Sequence, residues 1–222
     1  MRSLLSLTFA VALGAMVAGC EIGDTNPPGD GGDDDGGGGA GLSVTWESRP
    51  ALIPSEPSSD LTVERAVVHQ DNLRVVGDAG TFQLDRDDLE WSRGIAPTTL
   101  PVPGAPPGLY SQLLFELDGD SDESPAEYAY EIIGTVKVNS EFRPFTVRDT
   151  SDLALSLDFS ITLPAGGSAT IPVRIDFEQV VKAVDFAQVT MTDGRYLVEN
   201  GSSQMTAVRA AVRAAFGVRG SS

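Results

Sequence analysis

Three features of this chain carry side chains whose types and spacing suit chemistry: a run of alternating acids, a single histidine and a set of aromatics. Asp118-Gly119-Asp120-Ser121-Asp122-Glu123 places a carboxylate at every second position. Asp118, Asp120 and Asp122 match the first three ligands of a calcium loop. The match ends there. Glu123 stands at the sixth position, where such loops turn on glycine, and Ala129 at the twelfth, where a bidentate glutamate belongs. The expectation is an acidic loop between two strands that binds millimolar calcium weakly, with no other cofactor. His69 is the one histidine, so any Ser-His-Asp or Cys-His mechanism must use it. No nucleophile-elbow sequence is present, and no cluster of ligands suited to catalytic zinc surrounds that histidine. With 32 acidic residues, any carboxylate pair chosen for glycosidic cleavage is uninformative. No catalytic set emerges, and an enzyme is not expected. Tyr110, Tyr128 and Tyr130 are the candidate ligand-binding residues: two share a strand face and the third starts a neighbouring strand, a platform for stacking on a sugar. Against this stands the ordinary use of strand aromatics, Trp46, Trp91 and Tyr196 included, which is to fill a core.

The only cysteine, Cys20, closes the sequence Val17-Ala18-Gly19-Cys20. Before it runs Leu4 to Ala18, free of charge, and before that Arg2. A basic start, an apolar core and small residues ahead of a lone cysteine resemble the signal peptide of bacterial lipoproteins. That resemblance implies cleavage before Cys20, a diacylglyceryl thioether on its sulfur and an acylated new terminus. The apolar run is roughly 15 residues, short of the roughly 20 needed to span a bilayer. Attachment would therefore come from acyl chains alone. Glu21 follows the cysteine where the usual inner-membrane retention signal places Asp, which favours the outer membrane. An acylated Cys20 leaves no thiol for a disulfide, a redox pair or a metal, so the fold must rest on burial and hydrogen bonds.

Removing residues 1–19 takes away one base, Arg2, and leaves 14 basic against 32 acidic side chains, a net charge of −18. Such a chain is repelled by nucleic acid and by anionic headgroups, which excludes nucleic-acid binding. Residues 21–41 read EIGDTNPPGDGGDDDGGGGAG, too polar and Gly-rich to form a core. With Cys20 they form a flexible acidic tether (residues 20–41) spanning roughly 25 Å as a random coil. Residues 42–222 remain for one folded domain.

From residue 42 onward the apolar pattern has period two. Leu153, Leu155, Leu157, Phe159 and Ile161 form one set, and Ile171, Val173, Ile175 and Phe177 another. These read as half-buried antiparallel strands, joined as a hairpin by Pro164-Ala165-Gly166-Gly167-Ser168. Pro172 cannot donate to a ladder, so its strand is expected at an edge or bulged. Further strands are expected at 43–47, 61–69, 73–76, 81–84, 109–117, 128–138 and 142–148. Within 61–69 the apolar set slips from Leu61 and Val63 to Ala66 and Val68, the signature of a bulge. A short helix is expected at 178–184 and an amphipathic one at 203–216. The latter carries Met205, Val208, Val212, Ala215 and Phe216 on one stripe, Ser202 or Ser203 as its cap, and Gly217 as its stop. Arg209 and Arg213 lie outside the stripe and complement the helix dipole. The fold class is all-β, an antiparallel β-sandwich of about seven to nine strands with these two helices.

Pro107-Gly108-Leu109-Tyr110-Ser111, the 130–138 strand around Gly134, the 153–177 segment and the Val184-Asp185-Phe186 turn are similar to a family of bacterial surface lipoproteins. Its members carry a prealbumin-like (transthyretin-like) β-sandwich behind the leader. The resemblance covers residues 60–217 and implies fold and placement, with no catalytic residue. The combined expectation is a lipid-anchored cell-envelope protein displaying a non-catalytic binding or structural module, with a calcium-assisted carbohydrate-binding or adhesion domain as the alternative. Its membrane contact would be the lipid anchor only, and its partner another envelope protein or a glycan.

Overall fold

A strand with one apolar and one polar face needs neighbours along its edges and a second layer over its apolar side. The computed structural model describes residues 41–50, 60–84, 88–92, 98–119 and 127–219, which meet both needs with three mostly antiparallel sheets and few helices. One sheet runs β14 (Phe216–Val218), β11 (Ser168–Asp176), β1 (Gly41–Arg49), β6 (Thr98–Val102). A second runs β10 (Leu153–Leu163), β7 (Gly108–Leu117), β3 (Gln70–Gly77), β4 (Gly80–Gln83). The third has six strands in the order β12 (Met191–Thr192), β13 (Arg195–Val198), β9 (Glu141–Asp149), β8 (Tyr130–Val138), β2 (Leu61–Val68), β5 (Leu89–Trp91).

The first two sheets pack their apolar faces together in a sandwich-like arrangement. Trp46 of β1 meets Phe115 of β7 edge-on, with ring centroids 5.5 Å apart, and Phe216 of β14 lies 5.4 Å from the same Phe115. Such aromatic pairs contribute about 0.5–1.5 kcal/mol each beyond the area they bury. Helical segments pack against the third sheet. α1 (Phe177–Lys182) sets Phe177 5.2 Å from Trp91, and the 3₁₀ turn Phe186–Gln188 sets Phe186 5.5 Å from both Phe145 and Tyr196. α2 (Met205–Ala215) buries Met205, Val208, Val212 and Ala215, the stripe read from the sequence.

The chain passes repeatedly between the second and third sheets at one seam. β2 leads to β3 through His69, and β9 leads to β10 through residues 150–152. His69 donates its N–H to the Ala129 carbonyl (3.1 Å), Asp118 donates its N–H to the His69 carbonyl (3.1 Å), and Ala129 donates its N–H to the Asp149 carbonyl (2.7 Å). Backbone polar groups are thus satisfied where the sheets part. Gly119 lies inside this knot: a Cβ there would stand 2.7 Å from the Ala129 nitrogen and 2.8 Å from the Thr150 carbonyl group.

Several expectations require correction. Among the described residues there are fourteen strands, beyond the seven to nine expected. The surplus includes pieces such as β5, β12 and β14, of two or three residues, too short to show any periodicity of their own. Two pairings are parallel, β1 with β11 and β13 with β9. β10 and β11 do not form a hairpin. β10 pairs with β7 in one sheet, and β11 lies between β1 and β14 in another. Both strands need cover for a long apolar face, and stacking in facing sheets supplies it where lateral pairing would not. Pro172 is accordingly not on an edge strand. Its carbonyl accepts from Arg219 N–H (2.8 Å) just past the three-residue β14, the side of β11 where pairing runs out. The bulge in β2 is present, as a register shift between Val63 and Arg65. At α2 the first-turn cap residue is Gln204, whose N–H reaches Ser202 Oγ (3.2 Å). Gly217 does not stop the helix; it pairs with Arg174 in β14, which follows α2 without a loop.

Replacing Gly119 with Ala should cost about 1–3 kcal/mol by forcing packed backbone apart, whereas Gly217→Ala, with nothing within 4 Å of its Cβ, should stay within about 0.5 kcal/mol. Urea titrations of the two variants check this. Gln70 is 0 % exposed, and neither atom of its side-chain amide has a hydrogen-bond partner among the described residues. Gln70→Met, similar in length and free of the orphaned amide, should therefore raise the urea midpoint, with a gain on the order of 1 kcal/mol.

Candidate functional site

Of the residues singled out from the sequence, Cys20, Asp120 and Asp122 lie outside the described residues. Asp118 sits just past β7, its backbone tied to His69 as above. The imidazole of His69 is flanked by two carboxylates, with Nδ1 3.2 Å from Asp88 Oδ1 and 3.3 Å from Glu127 Oε1. Its side chain is 22 % exposed, at a strand junction as the sequence suggested. Among the described residues no three His, Cys, Asp or Glu side chains converge in a way that could hold a metal ion.

The three tyrosines do not share a surface. Tyr110 is buried in the second sheet, where its hydroxyl donates to the Pro106 carbonyl (2.6 Å). Tyr130 is buried in the third sheet, facing α2. Only Tyr128 is half-exposed. It precedes β8, and the Arg148 guanidinium lies over its ring, 4.6 Å from the centroid. The order of strands explains the separation: β7 pairs with β10 and β3, never with β8, so alternation along the sequence does not make neighbours of 110 and 130.

Tyr130 belongs instead to a buried polar network. Its hydroxyl donates to Asp149 Oδ2 (3.2 Å), and Arg209 of α2 donates to both carboxylate oxygens, Nε to Oδ2 at 2.7 Å and Nη2 to Oδ1 at 2.9 Å. The Ser151 N–H reaches Oδ1 at 3.1 Å, and Arg209 Nη2 also reaches Ser151 Oγ at 2.9 Å. Burial alone would push the Asp149 carboxyl up, but the Arg209 and Ser151 hydrogen bonds and the guanidinium charge outweigh it and hold the group below the ordinary carboxylate range. Burial, reinforced by the Asp149 charge and hydrogen bond, pushes the Tyr130 phenol well above its ordinary value. Both partners are fixed in one protonation state. That is the signature of a clamp, and it offers no proton at neutral pH.

A surface groove of about 320 Å³ opens on the outer face of the third sheet. Strand register builds it. Ile133 of β8, Thr146 of β9 and Leu197 of β13 lie side by side in one row, and Glu131 and Arg148 pair in the next. Arg148 is held by Glu199 through Nε (2.9 Å) and Nη2 (2.6 Å), and Glu131 by Arg65 (3.1 Å). Thr192, Asp193 and Arg195, at the turn between β12 and β13, complete the wall. The sequence had shown 142–148 as a strand, so the outward alternation of Thr146 and Arg148 was readable. The partner strand β13 was not, since four residues carry no period and its pairing with β9 is parallel. Another concavity, of about 440 Å³ beside α1, has its charges neutralised in pairs: Arg49 with Asp176 (3.5 Å) and Lys182 with Glu178 (2.7 Å). The groove on the third sheet is the candidate site.

No protein-family model, curated protein or solved structure matches the chain. No described helix is long and apolar enough to cross a membrane.

The Asp149–Arg209 pair makes a pH-dependent contribution whose sign is set by the depressed carboxyl. Its stabilisation is complete above about pH 4, the ordinary aspartate value, and is lost as pH falls through the lower native value. Arg209→Met should cost about 3 kcal/mol at pH 7, where it strands a buried carboxylate. The stability gap between wild type and variant should narrow steadily below pH 4, as read from urea unfolding at pH 7, 4 and 3.

Proposed function

We propose that this chain is a lipoprotein of the bacterial cell envelope, held by acyl chains on Cys20, with the outer membrane as its favoured site. Its β domain acts there as a non-catalytic binding module. The observation that carries the reading is Val17-Ala18-Gly19-Cys20 behind the uncharged run from Leu4 to Ala18. Each acyl methylene buried in the bilayer contributes about 0.8 kcal/mol, so two or more chains anchor firmly where one does not. The acidic Gly-rich segment that follows suits a spacer, since its carboxylates favour water over the headgroup surface.

The resemblance of the 60–217 region to surface lipoproteins with a prealbumin-like sandwich points the same way. So does the character of the polar groups. The one histidine lies between two carboxylates, the buried acid is committed to an arginine, and the groove on the third sheet presents guanidinium, carboxylate and hydroxyl groups to solvent. In this reading the domain is a single sandwich-based module, and the groove is its contact surface.

Metabolic labelling with palmitate tests the placement. The wild-type chain should take up label and sediment with membranes, and Cys20→Ala should lose the label and appear in the soluble fraction. Unchanged membrane association of the alanine variant would sink the proposal.

A further inference from the structure

A strand at the end of a sheet leaves one row of backbone N–H and C=O groups without a ladder partner, and folded proteins keep such edges short or blunted. Among the described residues, five of the six sheet ends follow that rule. β4, β5, β12 and β14 have two to four residues, and β6 has five with Pro101 among them. β10 is the exception. At 11 residues it is the longest strand, and only β7 is bonded to it in its sheet. β14 approaches it from the facing sheet but pairs with β11 instead. The usual protections are thin as well. β10 contains no Pro, Lys or Arg, and its outward residues Ala154, Ser156, Asp158, Ser160 and Thr162 are all exposed. A bulge between Asp158 and Ile161 blunts the later part of the strand. Residues 153–158 keep an unbroken register with β7 and present a straight edge.

The outer face beside this edge selects the kind of strand that fits it. A hollow of about 240 Å³ lies there, lined by Arg74, Leu114, Glu116, Ala154 and Ser156 among others. Register sets Glu116 beside Ala154 and Leu114 beside Ser156, so the two small side chains of β10 leave β7 within reach across it. A long basic side chain on an added strand lies over Ala154 or Ser156, with its stem on Leu114 and its head at Glu116. Glu116 accepts from the Asn72 amide (2.9 Å) and Asp158 from the Gln112 amide (3.0 Å). Neither carboxylate has an ion pair among the described residues, so both are open to a cation. The formal charge of −17 adds long-range attraction for a basic partner. It repels another copy of the chain, which would bring the same Glu116 and Asp158 to the seam.

We infer that residues 153–158 of β10 are a docking edge for a partner protein, which adds an extended segment bearing Lys or Arg at alternate positions to the second sheet. Main-chain hydrogen bonds to the free row of β10 hold the segment, and its basic side chains on the outer face meet Glu116 and Asp158. Its intervening side chains turn to the inner face beside Leu155 and Leu157, where apolar residues fit. This edge belongs to a different sheet from the groove and needs no acyl chain on Cys20, so it stands or falls independently of both.

The test titrates the purified full chain with a fluorescent peptide of alternating Val and Lys, matched to β10 in length, and maps amide hydrogen exchange with and without it. Saturable binding is expected, with new protection among the amides of 153–158. Replacing every Lys of the peptide by Glu should weaken binding by about tenfold or more. Glu116→Gln should weaken it about threefold, the size an exposed ion pair supports. Ser156→Lys, at an exposed position, should weaken it about tenfold or more and leave the unfolding temperature unchanged. No binding, binding without new protection in 153–158, or equal affinity for the Glu peptide would overturn the inference. Concentration-dependent dimerisation that protects the same amides would overturn it too, because the occupant would be a second copy. Protection of every amide in 153–158 before peptide is added would show the edge already covered and would also overturn it.

Discussion

A single carboxylate determines how the helical segment meets the sheets. Asp149 is buried to 1 % exposure at the end of β9 and accepts hydrogen bonds from Arg209, Tyr130 and the Ser151 backbone. These donors come from α2, from β8 and from the turn that leads into β10. Apolar burial alone would leave α2 some freedom, because a stripe of Met, Val and Ala side chains is tolerant of small slides. The bidentate guanidinium contact is directional and removes that freedom. A buried ion pair contributes little net stability compared with an apolar replacement, and its worth here lies in specifying one placement. The consequence extends to the other core. α2 runs into β14 without a loop, so fixing Arg209 also fixes Phe216 against Phe115 between the first two sheets.

The seam where the second and third sheets part shows the same economy in its backbone. Crossing strands would leave amide groups unpaired, and the contacts of His69, Asp118, Ala129 and Asp149 pair them across the gap. Gly119 is needed because no Cβ fits between Ala129 and Thr150. The His69 side chain is a by-product of this arrangement: it stands at a corner, and Asp88 and Glu127 meet it there. The groove arises differently, from register. Parallel pairing of β13 with β9 puts Leu197 beside Thr146, and antiparallel pairing of β8 puts Ile133 on the other side. The β8–β9 hairpin and the sequence-distant β13 thereby form one continuous floor.

Much of the secondary structure was legible because it is encoded locally. Alternation marks β10 and β11, a slip in alternation marks the bulge in β2, and a five-residue stripe marks α2. What failed to show were pairings. The Pro164–Ser168 turn signals a reversal of the chain, and a reversal serves a hairpin and a crossing between facing sheets equally well. The tyrosines failed for a related reason: Tyr110 and Tyr130 look amphipathic in sequence, but each hydroxyl finds a partner within the fold and the ring follows it inward. Arg209 reads as a solvent-facing helix residue until Asp149 is placed opposite.

The sequence by itself determined a mostly β chain with two helices near its C-terminal end, a strongly acidic net charge, and a single cysteine behind an uncharged apolar run. Each of these is a property of composition or of residues within a few positions of one another. Only the tertiary structure decided which strands pair, that three sheets form, that Asp149 receives Arg209, and that Thr146 floors a groove between Ile133 and Leu197. The decisive ones, Asp149 with Arg209 and Thr146 with Leu197, join residues separated by tens of positions. The energy that selects among them comes from burying whole faces and satisfying distant polar groups together, which no local window of residues contains.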